Sequence, residues 1–292
     1  AALAPQFNPE TETAVNGGGQ IQWNNVPWSE MVYQSLDPNT YNDWDLWMTE
    51  SNSGITYQLL NTPYNEVQPR LNWPAGQVVY VQVSGVNYDI HKYDLQTRTD
   101  LQLTYTGTED LNPDWSPDGT KIVYESYQDG QAEIYVMNAD GSAPTRLTYN
   151  AGGADYDYDG MPSWSPDGKK IAFVSKRTGG YRIWIMNADG TSTYMLTTQP
   201  YSSHPAWKPD GTALMFSCDQ NGDSFYETHE IDLTTLQEAS IGEAYQADYW
   251  PNAYSPNGYY RAITKVRYIR IDNTWYWLDA IIGDPVAGTL LP

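Results

Sequence analysis

Basic residues are scarce in this sequence. Only 15 Lys and Arg stand against 36 Asp and Glu over 292 residues, giving a formal net charge of −21. Charged residues make up 17% of the chain, so the acidity reflects missing cations and not a surplus of carboxylates. Nothing here neutralises a run of phosphates, which excludes a nucleic-acid partner. A polybasic membrane anchor is excluded for the same reason. The single cysteine, Cys218, excludes an internal disulfide framework and a thiolate zinc site. No apolar run approaches the roughly 20 residues of a membrane-spanning helix, and no long apolar stripe recurs at helical period. What is abundant is aromatic side chains and turn formers: 25 Tyr, 12 Trp, 23 Gly and 19 Pro. Such a chain buries surface and does not stay disordered. The small-residue start Ala1-Ala2-Leu3-Ala4-Pro5 and the low Lys/Arg content predict a secreted, cell-surface or periplasmic protein with its signal peptide removed.

An internal repeat sets the architecture. Three segments are nearly superposable: Asn112-Pro-Asp-Trp-Ser-Pro-Asp-Gly-Thr-Lys-Ile-Val-Tyr-Glu-Ser126, Met161-Pro-Ser-Trp-Ser-Pro-Asp-Gly-Lys-Lys-Ile-Ala-Phe-Val-Ser175 and His204-Pro-Ala-Trp-Lys-Pro-Asp-Gly-Thr-Ala-Leu-Met-Phe-Ser-Cys218. Weaker copies centre on Trp23, Trp73 and Tyr254. The anchors Trp23, Trp73, Trp115, Trp164, Trp207 and Tyr254 recur at an average spacing of about 46 residues, close to one four-stranded propeller blade. Within a copy, Pro117-Asp118-Gly119 reads as a tight turn, Lys121 to Tyr124 as a strand rich in β-branched and aromatic residues, and Glu133 to Met137 as an alternating strand. Asn138-Ala-Asp-Gly141 turns again into Thr145-Arg-Leu-Thr-Tyr149. The expected fold is all-β, a six-bladed β-propeller of four-stranded antiparallel blades over residues 19–292. Residues 1–18 form an N-terminal extension packing on or closing the ring. Val286 to Leu291 is expected to give the last blade its own outer strand. Blades of this kind bury their faces only against one another.

The motif Pro-x-Trp-Ser-Pro-Asp-Gly-x-x-Ile, followed by Met-Asn-Ala-Asp-Gly and Leu-Thr, resembles the TolB-type propeller repeat, a WD40-like PD40 repeat. The resemblance is closest over residues 101–217 and extends more weakly over 20–292. It implies the propeller fold. It does not select a function, because such repeats occur in periplasmic scaffolds, in propellers attached to serine peptidases and in some pectin-degrading lyases.

Function therefore has to come from a site. The loops leading into the innermost strands, 62–72, 106–114, 151–163, 199–206 and 244–253, surround one mouth of the channel. They carry many carboxylates and aromatics and a single cation, Arg70. An acidic, aromatic mouth suits a cation, a glycan or a basic peptide. The candidate ligand contacts are His204, Tyr201, Tyr249, Trp250, Tyr156, Tyr158, Glu109 and Asp248. The sharpest motif is Asp155-Tyr-Asp-Tyr-Asp-Gly160, whose alternating Asp155, Asp157 and Asp159 before a Gly match the first half of a calcium loop. Its twelfth position is Pro166 and not Glu, so it is no EF-hand; the alternative is a solvated acidic loop. His91 and His229 fall on third-strand patterns, away from the axis. No Gly-x-Ser-x-Gly elbow is present. The aspartates of the Pro-Asp-Gly turns, Asp118, Asp167 and Asp210, read as turn formers, and Cys218 as a small buried apolar residue.

The reading is a non-catalytic binding or interaction module for a glycan, a peptide or a partner protein, assisted by calcium. One alternative is a lyase or hydrolase acting on polysaccharide, with a Tyr and His204, or paired carboxylates such as Asp155 and Asp159, as acid and base. Another is a self-assembling subunit of an extracellular layer or filament.

Overall fold

A computed structural model describes residues 15–16, 22–23, 30–36, 43–50, 55–149, 158–220, 226–242, 253–254, 260–271 and 274–285. Five four-stranded antiparallel blades follow one another along the chain, each in simple up-and-down order. Blade 1 comprises Gln22–Trp23, Glu30–Leu36, Trp44–Glu50 and Thr56–Gln58. Blade 2 comprises Asn65–Asn72, Gln77–Ser84, Asn87–Asp94 and Thr99–Gln102. Blade 3 comprises Asp110–Trp115, Lys121–Ser126, Glu133–Asn138 and Thr145–Arg146. Blade 4 comprises Asp159–Trp164, Lys170–Ser175, Arg182–Asn187 and Tyr194–Met195. Blade 5 comprises Ser202–Trp207, Ala213–Cys218, Glu227–Asp232 and Glu238–Gly242.

The expectation of six blades is corrected to five. A further four-stranded sheet follows blade 5, but it is built differently. Its body is a long hairpin, Tyr260–Ile271 against Thr274–Pro285, twice the length of the second and third strands of blades 3 to 5. The reason is in the sequence: neither Gly nor Pro interrupts residues 260–271, where the regular repeats turn after about six residues. The short strand Ala253–Tyr254 lies on one side of the hairpin, between the inner strands of blades 5 and 1. The outer position is also corrected. Val15 and Asn16 occupy it, paired with Ile281 and Ala280, whereas 286–291 lies outside the described residues. The last sheet thus borrows its outer strand from the start of the chain.

The repeat chemistry explains the regular blades. In Pro-Asp-Gly, Gly119 sits at φ 68°, and the Asp118 carboxylate accepts the Ser116 hydroxyl at 2.7 Å and the Thr120 N–H at 3.0 Å. Asp167 and Asp210 close their turns in the same way. These aspartates are turn formers, as expected. Leu-Thr has an equally local role. The hydroxyls of Thr104, Thr148 and Thr197 accept the N–H of Ile90, Ile134 and Ile183 at 2.8 to 3.0 Å, tying each outer strand to the third strand beside it.

The core lies in the seams between blades. Val79, Ile90 and Leu103 of blade 2 pack on Trp115, Ile122 and Tyr124 of blade 3. Val123, Ile134 and Leu147 of blade 3 pack on Trp164, Ile171 and Phe173 of blade 4. Ala172 and Ile185 of blade 4 pack on Leu214 and Phe216 of blade 5. The second Asp-Gly turn tightens two of these seams, Gly141 against Leu103 and Gly190 against Leu147. Gly190 has φ 84°, and a Cβ there would lie 2.9 Å from the Leu147 carbonyl oxygen of the preceding blade. Gly190→Ala is therefore expected to cost about 2–4 kcal/mol, left-handed strain plus overpacking. Gly179→Ala is the control, with φ 86° and nothing within 4 Å of the new Cβ. It should cost only about 1 kcal/mol, the strain alone. Urea midpoints of the two variants measure the difference, and equal midpoints would remove the seam contact from the account.

Candidate functional site

The inner strands of blades 2 to 5 each carry a strained residue immediately before a proline. Gln68, Asn112, Met161 and His204 have φ between 50° and 56°, and a register shift follows each in the pairing with the second strand. Left-handed backbone is costly for a non-glycine residue, and a following proline disfavours helical conformations. The bulge turns the residue's N–H away from its own sheet, towards the preceding blade. Gln68 N–H reaches Gln34 Oε1 at 2.7 Å, Asn112 N–H reaches Gln68 Oε1 at 2.6 Å, and Met161 N–H reaches Glu125 Oε2 at 3.1 Å. Side-chain acceptors thus hold the bulged inner strands in place around the axis.

Glu125 is the most elaborate of these acceptors. It is buried in the second strand of blade 3. Its Oε2 receives the Asn112 side-chain amide at 2.9 Å, the Met161 N–H and the Tyr158 hydroxyl, the last two at 3.1 Å. Burial pushes its carboxyl above the usual range, against the lowering effect of these donors. Burial also raises the Tyr158 hydroxyl far above its ordinary value, with the Glu125 charge second. Gly160 makes room for the cluster. A Cβ there would collide with Tyr158 Oη and Glu125 Oε2. The glycine that closes Asp155-Tyr-Asp-Tyr-Asp-Gly160 therefore admits a buried carboxylate and a tyrosine.

The candidate residues separate. Asp159 is fully buried, and its Oδ2 holds Arg177 Nη2 at 2.5 Å. Tyr158 is half-buried against Glu125 and packs edge-on against Tyr181 at 5.6 Å. His204 is buried at the bulge of blade 5, with Nδ1 3.1 Å from Ser203 Oγ. Glu109 and Tyr201 are exposed. Asp155, Asp157, Tyr156, Tyr249, Trp250 and Asp248 lie outside the described residues. His91 and His229 occupy third strands, at positions where blades 3 and 4 have Tyr135 and Trp184. They stack on Tyr80 and Phe216 and face acids, His91 with Asp100 at 2.9 Å and His229 with Glu238 at 2.7 Å. Among the described residues no three His, Cys, Asp or Glu gather as a metal-holding group.

A pattern missed in the sequence stands out on one face. Four exposed tyrosines, Tyr64, Tyr105, Tyr149 and Tyr201, lie in four successive loops from an outer strand to the next inner strand. Tyr105 and Tyr149 are 73% exposed, yet both are tethered. Their hydroxyls bond the carbonyls of Gln102 and Arg146, three residues back, at 3.1 and 3.3 Å. The Arg146 guanidinium lies 4.7 Å from the Tyr149 ring centroid. The signal was Leu-Thr-Tyr at 103–105 and 147–149, just before the loops drawn from the repeat.

The same face corrects the expectation of a mouth almost without cations. In an up-and-down blade the hairpin between second and third strands emerges beside the interblade loop. Lys176, Arg177 and Arg182 thereby join that face in blade 4. They are committed locally: Arg177 to Asp159, Lys176 over the Tyr181 ring at 5.0 Å, and Arg182 to carbonyls of 178, 180 and 198.

Stacked four-stranded blades and an Asp-Gly-punctuated repeat define a β-propeller of the PD40 type. The family model described as TolB beta propeller domain matches residues 39–160 and 154–269. The chain belongs to that family. Its structure is similar to TolB from Acinetobacter baumannii, at 20% identity and TM-score 0.71, over 89% of this chain and 65% of that one. It is also similar to a putative TolB from Agrobacterium tumefaciens, at 19% identity and TM-score 0.67, over 92% and 90%. An uncharacterised protein of Agrobacterium fabrum is 35% identical over 66 residues, 23% of this chain and 22% of that protein. The chain thus spans less than two thirds of the A. baumannii protein and about a fifth of the A. fabrum one. At these identities the solved structures speak for the fold. No helix among the described residues is long and apolar enough to cross a membrane.

Proposed function

We propose that this propeller is an extracytoplasmic binding module, and that it takes a glycan or a polypeptide partner on the tyrosine-bearing face. The observation that carries the reading is the arc of Tyr64, Tyr105, Tyr149 and Tyr201. A tethered tyrosine loses little conformational entropy on binding and offers a flat apolar ring with a polar tip. Two such rings repeat in adjacent blades with the same hydroxyl tether, which is preorganisation. The buried carboxylates nearby serve the ring itself, Glu125 on the bulge and Asp159 on Arg177. A calcium contribution to binding rests on Asp155 and Asp157, since Asp159 is turned inward.

The test is a glycan array and a displayed-peptide library, each screened with calcium and again with chelator, using the native chain and Tyr105→Ala/Tyr149→Ala. Loss of the best binder by tenfold or more is expected in the double variant, about 1.4 kcal/mol. Its melting temperature should barely move, because both rings are exposed. Binding that survives both substitutions would place the ligand elsewhere.

A further inference from the structure

The last sheet keeps the register of the regular blades at its base. Trp115 pairs with Ile122, Trp164 with Ile171 and Trp207 with Leu214, and Tyr254 pairs with Arg261 at the same point. Residues 260–265 therefore correspond to Lys121–Ser126, and 280–285 to Glu133–Asn138, with Lys265 opposite Ala280 as Ser126 is opposite Glu133. Where blade 3 turns, this hairpin continues for six more residue pairs, 266–271 against 274–279, and turns only at Asp272-Asn273. At about 3.3 Å per residue the extra pairs make an arm about 20 Å long. It stands on the tyrosine-bearing face, where the hairpins between second and third strands emerge.

Among the described residues, the flanking strands stop at the base of this arm. Ala253–Tyr254 pairs with 262 and 261, and Val15–Asn16 pairs with 281 and 280. Beyond them each strand of the arm pairs only with the other. That leaves a row of backbone N–H and C=O groups along each edge, a template for a further strand.

The charge of one edge departs from that of the chain. Residues 260–271 hold four of the 15 Lys and Arg, namely Arg261, Lys265, Arg267 and Arg270, and no acid. The acids of the hairpin, Asp272, Asp279 and Asp284, lie in the turn and on the returning strand. Arg261, Lys265 and Arg267 occupy alternating positions and so share one strand face. The net charge of −21 is screened over about 8 Å at physiological salt, so along most of the arm the local cations set the field. A row of like charge also opposes pairing with the same strand of a second copy.

We propose that the edge of 265–271 captures an extended polypeptide with carboxylates at alternate residues, which adds to the arm as a further strand. Backbone pairing supplies the affinity. Alternate residues of the added strand share a face, which sets its carboxylates on the side of Lys265 and Arg267. This surface is separate from the arc of Tyr64, Tyr105, Tyr149 and Tyr201.

The probe is an eight-residue peptide alternating Thr and Glu, followed by fluorescence anisotropy. It is titrated with the native chain, with Lys265→Glu/Arg267→Glu, and with a chain in which Asn-Gly replaces 266–279. The register pair Lys265 and Ala280 suits such a two-residue turn, so the pairing at the base is kept and the shortened chain should melt close to the native one. Both variants should bind the peptide at least tenfold more weakly, and the charge-reversed one should take the Thr/Lys peptide instead. Tyr105→Ala/Tyr149→Ala should bind like the native chain. An isomer with Thr and Glu in two blocks, and a fully N-methylated copy, should each bind the native chain at least tenfold more weakly than the alternating peptide. The proposal is overturned if the native chain does not bind the alternating peptide, or if the shortened chain binds it equally. Equal binding of the N-methylated copy overturns it in favour of charge alone, and loss of binding in the tyrosine variant moves the site to the tyrosines. A dimer of the native chain in sedimentation that the shortened chain lacks would make a second copy the occupant.

Discussion

Glu125→Leu is expected to destabilise the protein by about 3–5 kcal/mol, a large share of the roughly 5–15 kcal/mol that holds a domain together. Leucine keeps much of the volume but removes the acceptor from Asn112 Nδ2, Met161 N–H and the Tyr158 hydroxyl. Each buried donor left without a partner costs about 1–3 kcal/mol. The Met161 N–H is the least replaceable, because the left-handed bulge fixes its direction. Glu125→Gln separates hydrogen bonding from charge. It retains one acceptor oxygen and should cost only about 1–2 kcal/mol. In register with it stand Val81, Val174 and Ser217 in blades 2, 4 and 5, and only blade 1 has a comparable acceptor, Gln34. A generic preference of the repeat therefore cannot explain a large loss. Urea unfolding measures both variants, and a leucine variant within about 0.5 kcal/mol of the native chain would show that these donors find other partners.

The repeat made the regular blades legible, because each turn is a local event. Pro sets φ, Asp bonds the next backbone N–H, Gly takes the positive φ, and the same letters recur in the same order. The blade count was misjudged where that punctuation fades. Residues 260–271 keep strand-forming letters but lack the Gly and Pro that would stop the strand, so spacing alone continued a pattern that the local chemistry did not. An N-terminal segment closing the ring was legible, but not that it would supply the outer strand. Val15-Asn16 is too short to read as a strand, and its pairing with Ile281 and Ala280 is a long-range choice. At the candidate site, the acidic loop drew attention because alternating Asp is a known ligand pattern. Yet Asp159 opens the inner strand of blade 4 and is buried against Arg177. Glu125 could be found only as a flaw in an apolar strand. Tyr105 and Tyr149 were visible as letters, but their exposure depends on which side of Leu-Thr the chain leaves the blade.

Stability should fall as pH rises from about 5 to 8, the opposite of a protein stabilised by paired surface carboxylates. Burial pushes the Glu66 carboxyl up to about 7 and the Asp114 carboxyl up to about 6, the latter despite the Arg70 guanidinium 3.8 Å away. Asp110, Asp159 and Glu125 are raised by the same cause. A carboxyl whose value is raised on folding holds its proton in the native state after the unfolded chain has released it. Its folded form is therefore favoured below the unfolded value and loses ground as pH climbs to the folded one. For Glu66 and Asp114 the loss is about 3 kcal/mol each, spread over roughly pH 4.5–7 and 4–6. The net charge of −21 acts in the same direction, since self-repulsion grows as carboxyls ionise. The turn aspartates set the acid limit. Asp118, Asp140, Asp167, Asp189 and Asp232 are lowered, chiefly by hydrogen bonds across their turns, and Asp210 is lowered by its bonds to Thr212, which outweigh burial. Their contribution is present above the ordinary carboxyl value and disappears as pH drops through their folded values. The two groups of carboxyls together place the maximum between about pH 4 and 5. Urea unfolding across pH 3 to 8 in about 0.5 M salt, which screens surface repulsion but not burial, tests the account. Glu66→Gln should flatten the slope above pH 5 by about one proton's worth, about 1.4 kcal/mol per pH unit. A stability that stays level or rises from pH 5 to 8 in the native chain would mean that the seam carboxylates find counter-charge at neutral pH.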